Sequence, residues 1–118
     1  MKGLIIKADG EISIEEFSAP LHKSLGQAVG GFIEVVRCAF LPSSLRLVVN
    51  EEGVINHLPF NRICSHLYGS RLHGQYIFGD TVIMGYGLVD GEPDLVGLTD
   101  ADFLLLSAIL READSAHA

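Results

Sequence analysis

The stretch from Thr99 to Ala113 constrains the fold more than any other part of the chain. Thr99 followed by Asp100 and Asp102 puts a side-chain cap and two acids at a helix N-terminus, where they complement the dipole, and Arg111 does the same near the other end. On a helical wheel Phe103, Leu106, Leu110 and Ala113 form one face, and Leu104, Leu105, Ala108 and Ile109 extend the apolar arc well beyond it. One sheet covers one face of such a helix, so the rest calls for a second cover. A homodimer supplies it by reusing one patch on both subunits. With 118 residues in the whole chain, one core is expected. The reading is a single α+β domain over residues 1–113, followed by a tail at 114–118.

The sheet comes from alternation. Residues 2–7 and 11–17 flank Ala8-Asp9-Gly10, and Ile12 and Ile14 alternate with Glu11, Ser13 and Glu15, the pattern of a hairpin. Leu21, Leu25, Ala28 and Val29 follow a helical stripe started by Ser18 and Pro20 and stopped by Gly30-Gly31. Phe32–Phe40 and Leu45–Asn50 read as two strands joined by a four-residue turn that pairs Phe40 with Leu45. In that register one face, expected to be the core face, carries Phe32, Val36, Cys38, Phe40, Leu45, Leu47 and Val49, with Glu34 near its end. The other mixes Ile33, Val35, Ala39 and Val48 with Arg37, Arg46 and Asn50, and is expected to be half solvated or an interface.

Asn50–Gly53 reads as a tight turn and Val54-Ile55 as a short return strand. A short helix from about Phe60 to Tyr68 is capped by Asn61 and ended by Gly69, residues 70–75 read as loop, and Tyr76–Tyr86 holds two strand-like runs split by Gly79-Asp80. Asp90-Gly91 marks a further turn. The architecture expected is an antiparallel or mixed sheet with two to three helices mainly on one face.

Several function classes are disfavoured. Eight Lys and Arg against fifteen Asp and Glu give a charge of -7, with no basic stripe to release phosphate counterions, so direct nucleic-acid binding is not expected. No apolar run approaches the roughly 20 residues of a membrane span, and Lys2 precedes only three apolar residues before Lys7, which is no export signal. A cytoplasmic protein is expected, with Cys38 and Cys64 as reduced core thiols. His57, Cys64, His66 and His73 lack the close pairing of zinc ligands, and no cofactor is called for. No nucleophile motif, phosphate loop or paired catalytic carboxylate stands out, so an enzyme is the less favoured reading.

The best candidate site is the mixed sheet face, where Arg37 and Arg46 are diagonal neighbours able to converge two guanidinium groups on one anion. Pairing of these arginines with nearby Glu side chains is the preferred alternative. Asn50, Asn61 and Arg62 join them as candidate ligand-binding residues.

The succession Val29-Gly30-Gly31-Phe32-Ile33-Glu34-Val35-Val36, then Val49-Asn50-Glu51-Glu52-Gly53, Leu58-Pro59-Phe60-Asn61-Arg62, Gly79-Asp80 and Gly97-Leu98-Thr99-Asp100, resembles the small domains of domain-of-unknown-function family 3846 over residues 3–105. The resemblance implies an accessory protein of a bacteriophage, plasmid or conjugative element, and carries over no catalytic residue. The expectation is a nonenzymatic accessory or regulatory protein that binds a macromolecular partner such as a host protein. The alternative is a small-ligand protein that captures an anionic metabolite or nucleotide on the Arg37 and Arg46 face.

Overall fold

The computed structural model describes residues 1–115. Strands β1 (Lys2–Ile6) and β2 (Ile12–Glu16) form the first hairpin, helix α1 (Leu21–Val29) follows, and β3 (Ile33–Val36) and β4 (Leu45–Asn50) form the second hairpin. Helices α2 (Arg62–Tyr68) and α3 (Ser70–His73) lead into β5 (Thr81–Val89), β6 (Glu92–Val96) and α4 (Asp100–Ser115). The strands build one six-stranded antiparallel sheet in the order β2-β1-β5-β4-β3, with β6 paired to the far half of β5. This is an α+β fold.

The two-residue period of the strands sorts the interior into two layers. Leu4, Ile6, Leu45, Leu47, Val49 and Ile83 face Ile63, Cys64 and Leu67 of α2 and Leu106 of α4. Val48, Val82 and Met84 face Leu25 and Val29 of α1 on the opposite side, with Phe17 and Leu95. The mixed face expected to be half solvated is thus roofed by α1, while α2 and α4 share the other. Close approach across the sheet needs glycine at Gly3, where an added Cβ would lie 2.7 Å from the Met84 sulfur.

Residues 37–40 leave the ladder, which ends at Val36 opposite Leu47. The register is two residues from the one expected, and because the slip is even the side chains that stay in the ladder keep their faces, while Phe32 and Phe40 of the expected core face are exposed. The cause is α2: the amides of Ala39 and Phe40 donate to the carbonyls of Tyr68 (3.3 Å) and Leu67 (3.0 Å), which a helix C-terminus leaves without partners. Cys38 and Leu41 are drawn into the core by the same turn.

Val54 and Ile55 do not form the expected strand. They sit in a turn closed by Asn56 N–H to the Glu52 carbonyl (2.8 Å) and Leu58 N–H to the Gly53 carbonyl (3.0 Å), and both are exposed. The loop expected at 70–75 begins with a single helical turn, α3, entered through Gly69 in the left-handed region (φ 87°). Helix α4 runs to Ser115, two residues past the expected end of the domain, and 116–118 lie outside the described residues. No helix among the described residues is long and apolar enough to cross a membrane.

Candidate functional site

The α2 N-terminus organises the region where a site is formed. Asn61 caps it by accepting the Cys64 amide (3.0 Å), and its amide nitrogen donates to the carbonyls of Ile6 (3.1 Å) and Gly79 (3.0 Å). One turn on, Ser65 Oγ accepts the Ile77 amide (2.9 Å) and donates to the Ile77 carbonyl (3.2 Å). Phe60 bridges Phe78 as an isolated antiparallel pair, and its ring meets Tyr76 at 6.0 Å and Phe78 at 5.9 Å. The segment 74–78 is thereby held as a wall opposite the β3 edge of the sheet.

Between that wall and the sheet lies an open cleft of about 420 Å³. Its floor is Val36 and Val49, its far side Tyr76, Ile77 and Phe78, and its end Tyr68, whose hydroxyl donates to Gln75 Oε1 at 3.5 Å. Glu34 and Glu51 stand on its sheet side, and among the described residues no Lys, Arg or His lines it. Glu34 pairs with Val49, and the Glu51 amide donates to the Phe32 carbonyl (2.9 Å), so the two carboxylates are diagonal neighbours on one face. Aromatic side chains beside two exposed carboxylates suit an organic cation, attracted both by charge and by ring quadrupoles. Among the described residues no group of three or more His, Cys, Asp or Glu could hold a metal ion.

The residues singled out from the sequence are spread apart. Arg37 lies beyond the end of β3 and is exposed; Arg46 is half-buried on the α1 face of β4. Its guanidinium donates to the Ser43 and Leu45 carbonyls and lies 4.0 Å from the centroid of the Tyr86 ring. Among the described residues neither arginine pairs with a carboxylate, which corrects the expected Glu partners: carbonyls and the Tyr86 ring hold Arg46 instead. Asn61 is buried, its oxygen engaged in capping and its nitrogen with the Ile6 and Gly79 carbonyls, and Arg62 is the half-buried first residue of α2. Asn50 alone of the five lines the cleft; its amide donates to the Val29 carbonyl (3.1 Å) and its oxygen accepts the Glu52 amide (2.8 Å).

Sequence reasoning did not select Glu34, Glu51, Tyr68, Tyr76 or Phe78. One signal was present: Glu34 is the acid interrupting an otherwise apolar strand face.

A second surface lies at the opposite sheet edge. A groove of about 480 Å³ between β2 and α4 is lined by Leu4, Ile12, Ile14, Ile63, Phe103, Leu106 and Leu110. Outside it, Leu104 is 77% and Leu105 44% exposed on α4.

A family model described as "Domain of unknown function (DUF3846)" matches residues 1–109. No curated protein and no solved structure matches the chain.

Proposed function

The chain belongs to the DUF3846 family, and since that family's description assigns no activity, we propose a function from the cleft itself: a nonenzymatic accessory protein that binds a basic segment of a protein partner between β3 and residues 74–78. The carrying observation is the pair Glu34 and Glu51 beside Tyr68, Tyr76 and Phe78. The overall charge of -7 favours encounter with a basic partner. The setting in this proposal is the cytoplasm of a bacterium carrying a phage or mobile element, with a host protein as partner.

Fluorescence anisotropy with the labelled peptide Gly-Val-Lys-Val-Lys-Val-Gly tests the reading. Binding is expected at low salt, weakened roughly tenfold in a Glu34→Gln, Glu51→Gln double variant, because each semi-exposed ion pair contributes on the order of 0.2–1 kcal/mol. Equal binding of a counterpart with Glu in place of Lys, or no binding of the basic peptide, would overturn it.

We propose also that the molecule is a homodimer through α4. Leu104, 77% exposed, supports this, because an antiparallel two-fold pairing sets Leu104 of each copy over the small Ala108 of the other. Sedimentation equilibrium at micromolar concentration is expected to give the dimer mass, shifted toward monomer by Leu104→Glu. A monomer mass throughout removes the idea.

A further inference from the structure

The cleft opens onto a sheet edge whose backbone is laid out for an additional strand. Strand β3 is terminal in the sheet order. In an antiparallel ladder, residues alternate between hydrogen-bonded and non-hydrogen-bonded pairs. The Glu51 amide bonds the Phe32 carbonyl, which makes Phe32 and Glu51 a hydrogen-bonded pair and places Ile33 opposite Asn50 and Val35 opposite Val48 in the other class. The amides and carbonyls of Ile33 and Val35 therefore point away from β4 toward the open edge.

Resting on the cleft reading above, we propose that the partner binds as an extended strand, antiparallel to β3, with a lysine or arginine opposite Glu34. The hydrogen-bonded partners of this added strand are Ile33 and Val35, which makes the position opposite Glu34 a non-hydrogen-bonded pair, where Cα atoms approach to about 4.5 Å and side chains meet most closely. The basic stem extends over Glu34 toward Glu51 and the aromatic wall. Two residues to either side, the same face of the added strand meets Val36 and Phe32; the latter is 76% exposed and calls for an apolar neighbour. The recognised pattern is apolar-x-basic-x-apolar, which the peptide Gly-Val-Ser-Lys-Ser-Val-Gly matches and Gly-Val-Lys-Val-Lys-Val-Gly, with basic residues alone on one face, does not.

Amide hydrogen exchange followed by NMR decides this, using the matched peptide at saturation. Exchange at the Ile33 and Val35 amides is expected to slow at least tenfold, and methylating the peptide nitrogens on either side of the lysine residue should abolish binding. If the peptide binds, depends on Glu34 and Glu51, and leaves those two amides unprotected, strand addition is overturned while the cleft reading stands. Failure of the matched peptide alone overturns strand addition, and failure of Gly-Val-Lys-Val-Lys-Val-Gly overturns both readings.

Discussion

Asn61 joins three separate pieces of chain, the end of β1, the start of α2 and the turn before β5, through the carbonyls of Ile6 and Gly79 and the amide of Cys64. Replacing it with Ala removes a helix cap and leaves buried polar groups without partners, a loss expected at about 3 kcal/mol in urea denaturation. The buried thiols act at a different pH. Burial pushes both Cys38 and Cys64 up to about 12, against opposing effects of Arg46 on the first and a hydrogen bond with Thr81 on the second. A raised folded pKa favours the neutral thiol in the native state, so this contribution is complete below the unfolded value of 9.0 and is lost as pH rises toward about 12. Each thiol withdraws about 1.4 kcal/mol per pH unit inside that window. Urea midpoints should therefore fall between pH 9 and 12, and fall less in a Cys38→Ala, Cys64→Ala variant; identical slopes would refute the assignment.

At the scale of elements, α4 separates a packing residue from its neighbour two positions earlier. Leu106 is 1% exposed against the sheet, and its replacement with Ala is expected to cost about 3 kcal/mol, whereas Leu104→Ala should change the stability of the monomer by less than about 0.5 kcal/mol. Thermal unfolding of dilute protein compares the two. This contrast was legible in the sequence, because the wheel already put Leu106 inward and Leu104 outward. The first hairpin was equally plain from Ile12 and Ile14 around an Asp-Gly turn, and Asn61 was recognisable as a cap. The early end of β3 was not, because it depends on α2 carbonyls thirty residues away that recruit the amides of Ala39 and Phe40. The cleft was hidden for the same reason. Tyr76 and Phe78 read as strand residues, and it is the Phe60 bridge, the Ser65 hydroxyl and the Asn61 amide bonded to the Ile77 carbonyl that hold them opposite Glu34. Local periodicity carries no information about such contacts.

For the molecule as a whole, net negative charge and an acid-lined cleft point the proposal to the same class of partner, and the acid-lined cleft and the apolar groove lie at opposite edges of one sheet. Strand β5 holds those edges together. It lies between β1 and β4, pairing Ile83 with Leu4 on one side and with Leu47 on the other. Leu4 and Ile83 are about eighty residues apart in the chain, a closure whose entropy must be met before the pairing is rewarded. A ribosome that has released only the first four strands has produced one hairpin without a cover and a second covered only by α1, with no strand to join them. Assembly is thus delayed until β5 emerges and then proceeds in one cooperative step, in the slow regime of non-local β pairing. Until β5 emerges, the faces of both hairpins that α2 and α4 later cover stay open to water, the kind of surface that favours aggregation over folding.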